Sequence, residues 1–91
     1  MSTEIDPWLL KTVSEVNRIK IMRYLYKHDI CVCELAKKLD MAYSLISFHL
    51  KELYEVGILD KKRDGNKYFY FIKKEWRLRL VYYFKFLSLK V

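Results

Sequence analysis

Apolar residues return every three to four positions over most of this chain, and every second position over one short stretch. That pattern predicts helices interrupted by a single hairpin. Asp6-Pro7 opens the first helix, because Asp caps and Pro suits a first turn, and Trp8, Leu9, Thr12, Val13 and Val16 follow at helical spacing. A second helix starts at Ser14 or Glu15 and ends near His28-Asp29. Its wide apolar face of Ile19, Ile21, Met22, Leu25 and Tyr26 opposes Arg18, Lys20, Arg23 and Lys27. A third runs from about Cys33 to Leu39 with Leu35, Ala36 and Leu39 inward. After a break at Asp40-Met41-Ala42, a fourth runs from Tyr43 to Val56 and buries Ile46, Leu50, Leu53 and Val56 before Gly57 ends it.

The period then changes. Leu59 to Arg63 and Lys67 to Ile72 read as two strands around Asp64-Gly65, a tight-hairpin dipeptide. Beyond Lys74, Arg77-Leu78-Arg79-Leu80 alternates like a strand, while Trp76, Leu80, Tyr83, Phe84, Leu87 and Val91 fit a helix, and length favours the helix. Two short helices joined by a tight break and followed by a hairpin make a winged helix-turn-helix. The expected fold is therefore mainly α with a small β-hairpin, as one domain over 1–91.

Composition narrows the class. Apolar residues make up 53% with only two Gly and one Pro, which excludes a disordered chain. The net charge of +7 attracts polyanions such as nucleic acid or an anionic membrane surface. Apolar runs such as Leu80 to Phe84 are far too short to span a membrane, and no signal-peptide layout opens the chain, so a cytoplasmic location with no membrane partner is expected. The first and last helices carry more apolar side chains than one small core covers. Trp8, Leu9, Thr12, Trp76, Leu80, Tyr83, Phe84 and Leu87 are accordingly expected at a homodimer interface.

The fourth helix offers chemistry for double-stranded DNA. Opposite its apolar stripe stand Ser44, Ser47, Phe48 and Lys51, with Tyr43 at its start, placed to enter a major groove. His49 lies beside the buried stripe, where packing and phosphate contact are equally open to it. Lys61, Lys62, Arg63 and Lys67 cluster around the hairpin tip, where flanking phosphates would lie, and Asn66 can donate a hydrogen bond there. Such lysines also guard exposed sheet edges. Tyr68 to Phe71 offer stacking surfaces but more simply fill both faces of a strand. Nothing points to catalysis: there is no Gly-rich phosphate loop, no carboxylate pair in a cleft and no Ser-His or Cys-His arrangement, so the chain is not expected to be an enzyme.

Cys31 and Cys33 are the only cysteines. In an extended segment residues i and i+2 project to one side, so the pair can share a ligand if it lies at or before the helix start. The positive end of a helix there favours the thiolate that binds soft metal ions. The same residues also suit a disulfide, redox-active or stabilising, or simply two small buried apolar groups.

Taken in order, Leu10-Lys11-Thr12-Val13-Ser14, Asn17-Arg18-Ile19-Lys20-Ile21, Cys31-Val32-Cys33-Glu34-Leu35-Ala36, Ser47-Phe48-His49-Leu50-Lys51-Glu52-Leu53, Gly57-Ile58-Leu59 and Lys62 to Tyr70 form a set of landmarks. With these the chain resembles the ArsR/SmtB family of winged-helix metal-sensing repressors from about Leu10 to Ile72. The resemblance implies a homodimer that releases operator DNA when an inducer binds, with Ser44 and Ser47 at polar positions of the recognition helix. It also implies thiolate ligands at Cys31 and Cys33 for arsenite, antimonite, cadmium or lead. The chain departs from the family pattern in three ways: Ala36 or Lys37 stands where relatives complete the thiolate set, Ala42 replaces a capping serine, and Leu45 and Phe48 replace polar or basic groups. Tyr82 to Val91 lacks the His and carboxylate pattern of zinc-sensing members. The leading expectation is a DNA-binding repressor released by a soft ion. The rivals are a winged-helix protein with a cysteine disulfide, and a protein-interaction module using Leu45 and Phe48.

Overall fold

The computed structural model describes residues 7–88, so the expected cap Asp6 and the expected helical Val91 lie outside the described residues. Five helices and one hairpin follow in the order α1 (Pro7–Ser14), α2 (Val16–Lys27), α3 (Val32–Leu39), α4 (Tyr43–Glu55), β1 (Leu59–Asp64), β2 (Lys67–Ile72) and α5 (Lys74–Phe86). Among the described residues no helix is long and apolar enough to cross a membrane.

The ends of the helices follow local chemistry. Glu15 caps α2, its carboxylate accepting from the Asn17 and Arg18 N–H groups, so α1 stops at Ser14 and Val16 opens α2 as an exposed residue instead of completing the first apolar face. Helix α3 ends at Asp40 in the left-handed region, φ 53°, with the Met41 N–H donating to the Ala36 carbonyl. Past the end of α4, Gly57 takes φ 90° while the Ile58 N–H donates to the Leu53 carbonyl, a turn that favours glycine.

In the hairpin the strands extend to Asp64 and resume at Lys67, so Gly65 and Asn66, not Asp64 and Gly65, are the central turn residues. Gly65 has φ 62° and Asn66 does not share that sign, as in a type II′ turn. On its other edge β2 meets an isolated bridge from Cys31 to Phe69, which ties the start of α3 to the hairpin.

Ile21, Met22, Ile46, Leu50, Leu53, Ile58, Leu59 and Phe84 are wholly buried and join α2, α4, β1 and α5 in one core. Three residues expected between subunits lie inside this chain instead. Leu80 and Phe84 pack into the core, and Thr12 is buried with its hydroxyl donating to the Trp8 carbonyl, because the inner stripe of α5 and the inner side of α1 face their own core. Leu9, Trp76 and Tyr83 are partly buried against that core, and the Tyr83 hydroxyl donates to the Val13 carbonyl at 2.9 Å, fastening α5 to α1. The apolar residues left outward on these helices are Trp8, Leu10, Leu78, Tyr82 and Phe86, of which only Trp8 was expected.

Candidate nucleic-acid interface

Helix α4 presents two unlike sides. Ile46, Leu50 and Leu53 point inward, while Tyr43, Ser44, Phe48 and Lys51 are exposed and Ser47 is half-buried, as the helical period requires. No side-chain oxygen caps the helix, since Ala42 stands at its N-cap. A helix of this kind, anchored inside and carrying hydroxyls, a lysine and aromatic rings outside, is the element that enters a major groove in helix-turn-helix proteins.

The hairpin is divided by its pleat. Antiparallel pairing sets Lys61 opposite Tyr70 and Arg63 opposite Tyr68, on the side that faces α4. There the Lys61 ammonium sits 4.5 Å above the Tyr54 ring, and Tyr54 meets Tyr70 edge-on. Val32, Tyr43, Ser47, Lys61, Tyr68 and Tyr70 line the cleft between α4 and hairpin, about 220 Å³. Lys62 is on the opposite side with Phe69 and Phe71, its ammonium 3.9 Å from the Asp29 carboxylate. The expected cluster of Lys61, Lys62 and Arg63 is therefore split across two faces. Strict alternation along β1 was the signal in the sequence that shows it. Arg63 is held at the tip, its Nε–H donating to the Gly65 carbonyl at 2.8 Å, and Asn66 and Lys67 are exposed beside it.

His49 does not face this surface. It is 5% exposed and accepts a hydrogen bond at Nδ1 from the Arg18 Nε–H at 3.0 Å. Phosphate contact by His49 is excluded by that burial, and the packing alternative is the one observed. Burial pushes its imidazole below the ordinary value of 6.5; Glu15 and Glu52 act to raise it and Arg18 to lower it. Arg18, not singled out in the sequence, is the missed partner; a cation beside the apolar face of a helix was its only sign.

The two thiols are placed unequally. Cys31 is the extended N-cap of α3 and is buried, whereas Cys33 lies within the first turn of the helix and is exposed, so they are not an extended i, i+2 pair. Both are free, and both line a hollow of about 110 Å³ with Glu34, Tyr43, Asn66, Lys67 and Tyr68. Tyr43 and Tyr68 also belong to the cleft between α4 and hairpin, so the hollow adjoins that cleft. Among the described residues no group of three or more His, Cys, Asp or Glu is arranged to hold a metal ion.

Comparison with known proteins agrees with this architecture. The chain is 39% identical over 64 residues to the cadmium resistance transcriptional regulatory protein CadC of Listeria innocua, covering 69% of this chain and 54% of that protein. It is 36% identical over 64 residues to a putative arsenical resistance operon repressor of Halobacterium salinarum, covering 68% and 50%. The chain thus spans about half the length of the curated relatives it matches. The fold is shared with the homodimeric winged helix-turn-helix DNA-binding domain of a possible ArsR-family regulator from Mycobacterium bovis, at a TM-score of 0.78 and 21% identity over 97% of this chain and 90% of that one. It is also shared with the transcriptional repressor BigR of Xylella fastidiosa, at a TM-score of 0.73 and 26% identity over 87% and 78%. Residues 15–61, just over half of the chain and the stretch that carries α2, the helix-turn-helix and the start of the hairpin, match the arsR family of bacterial regulatory proteins, and the chain belongs to that family.

Proposed function

We propose that this chain is a homodimeric, sequence-specific repressor of transcription that acts on double-stranded DNA in the cytoplasm. The observation that carries the reading is the pairing of the exposed side of α4, with its hydroxyls, lysine and aromatic rings, with a basic hairpin face across one cleft. Ser44, Ser47, Phe48 and Lys51 read the groove, with Tyr43 at the mouth. Lys61, Arg63, Lys67 and Asn66 hold phosphates, and Lys62 contributes only long-range charge because it faces Asp29. Outward Leu78, Tyr82 and Phe86 on α5, together with Trp8 and Leu10 on α1, supply the apolar surface for a second subunit, with Leu9, Trp76, Tyr83 and Leu87 at its margin.

The release signal proposed is arsenite, antimonite, cadmium or lead at Cys31 and Cys33. A soft ion bound there supplies strong metal–thiolate bonds. The residues around the hollow make that binding consequential, since Tyr43 begins α4 and Asn66 and Lys67 form the hairpin tip. With two thiolates in the hollow, a small exogenous thiol supplies a third donor for arsenite.

A mobility-shift titration on selected DNA, with and without each ion, tests the reading. Salt-dependent binding that is lost on adding a thiophilic ion supports it. Binding indifferent to all four ions removes the sensor part, and absence of binding removes the repressor.

A further inference from the structure

Four polar side chains meet where α1, α2 and α4 converge, and none of them belongs to the DNA-facing surface. Arg18, from the first turn of α2, is 9% exposed, and His49, in the middle of α4, is 5% exposed. The Arg18 Nε–H donates to His49 Nδ1 at 3.0 Å, a second guanidinium nitrogen donates to the Thr12 carbonyl of α1 at 3.5 Å, and the third lies 3.7 Å from the Glu52 carboxylate of α4. Glu15, while capping α2, brings a carboxylate oxygen to 3.5 Å from His49 Nε2. One cation thus ties three helices together, and its shortest hold on α4 runs through an imidazole.

That hold constrains the proton. A guanidinium only donates, so the bond at Nδ1 requires a lone pair there. The ring is then neutral with its hydrogen on Nε2, facing Glu15 but too poorly placed to hydrogen-bond with it. A proton added at Nδ1 sets N–H against N–H and places a second cation beside Arg18. Glu15 and Glu52 offset part of that charge; Arg18 and the Thr12 carbonyl are the remaining polar groups at the cluster. Burial already favours the neutral ring. Phe48 carries any disturbance outward, because its exposed ring lies 5.5 Å from the His49 ring and 5.6 Å from the Arg18 guanidinium.

We propose that Arg18 and His49 are positioning residues for the recognition helix: the neutral imidazole locks α4 to α1 and α2, and proton uptake at Nδ1 frees α4 and weakens the hold on DNA. This rests on the DNA-binding reading above. If the DNA-bound form excludes the proton, affinity falls towards about tenfold per pH unit below the His49 pKa. The sign is diagnostic. Protons gained elsewhere strengthen attraction to a polyanion.

Long-range nitrogen–proton NMR of the free chain reads the tautomer and titration of His28 and His49. Fluorescence anisotropy with a labelled duplex, selected from a random library, reads affinity from pH 7.5 to pH 5 at fixed ionic strength. The expected results are an Nε2-protonated His49 at pH 7.5 and an affinity loss that tracks the His49 titration while circular dichroism stays native. His49→Asn keeps an acceptor at the Nδ1 position without titrating, so it should bind well at pH 7.5 and lose the acid effect. If that variant does not fold, the unaltered chain decides alone. Equal DNA binding across the range, an Nδ1-protonated ring at neutral pH, or unfolding in place of release overturns the proposal and leaves the DNA-binding reading intact. No DNA binding at any pH overturns that reading and takes the release step with it.

Discussion

Helices α4 and α5 are both thirteen residues long and are covered in opposite ways. In α4 Ile46, Leu50 and Leu53 form one wholly buried stripe, and the outer side mixes Ser44, Ser47 and Lys51 with exposed Tyr43, Leu45, Phe48 and Tyr54. In α5 there are two stripes. Leu80 and Phe84 are buried, while Leu78, Tyr82 and Phe86, each four residues on from the last, are 65%, 63% and 83% exposed. One polypeptide of this size covers one stripe per helix. A helix with a second apolar stripe is unfinished until something packs on it, whereas a helix whose outer side intersperses apolar residues with hydroxyls and a lysine is free to meet a hydrated, charged partner.

The sharpest way to break this comparison is inside α4. Leu50→Ala removes a wholly buried side chain and is expected to cost about 2–5 kcal/mol of stability, independent of protein concentration, by urea denaturation. A cost under about 1 kcal/mol would mean that the stripe is not the anchor described.

On α5 the effect should instead depend on concentration. Tyr82→Glu with Phe86→Glu is expected to raise the dimer dissociation constant at least about 100-fold, roughly 3 kcal/mol, with the protomer fold kept. Sedimentation velocity across a dilution series measures it, and a folded monomer for the unaltered chain at micromolar concentration contradicts the expectation.

The exposed side of α4 and the hairpin come next in size. Lys61→Ala with Arg63→Ala is expected to weaken binding to every DNA sequence about tenfold and to lower the salt slope by about 2, because two phosphate contacts are lost. Lys62→Ala should do less, since that ammonium is turned toward Asp29. Ser47→Ala is expected to cost about 1 kcal/mol on preferred sites and to change the ranking of sites, which a selection experiment reads directly. An equal loss from Lys62→Ala and from Lys61→Ala would refute the two-faced hairpin.

The smallest effect on DNA affinity is expected at the thiols. Cys31→Ser with Cys33→Ser should leave binding almost unchanged and remove release by arsenite or cadmium, measured as anisotropy in the presence of each ion. Release that survives the double substitution places the inducer elsewhere.

Much of the architecture was legible because it is periodic. The spacing of Ile46, Leu50 and Leu53 marks an inward stripe, Gly57 marks its end, and the change to alternation marks a hairpin beyond it. The expected outward placement of apolar side chains on α1 and α5 was less accurate. Thr12, Leu80 and Phe84 turned inward, while Leu10, Leu78, Tyr82 and Phe86 were left out, since periodicity finds stripes but does not say which stripe the rest of the chain will cover.

The sequence by itself determined the order and kind of elements, the basic surplus that draws a polyanion, and the presence of a Cys-Val-Cys segment at a helix start. These depend on near neighbours, and near neighbours are written in the chain. Only the tertiary structure decided that Arg18 reaches His49 across thirty-one positions, that the hairpin face carrying Lys62 meets Asp29 while the face carrying Lys61 meets α4, and that one thiol is buried while the other is exposed. Those outcomes hinge on how elements distant in sequence pack, and a packed core assigns each side chain a place that no local preference specifies.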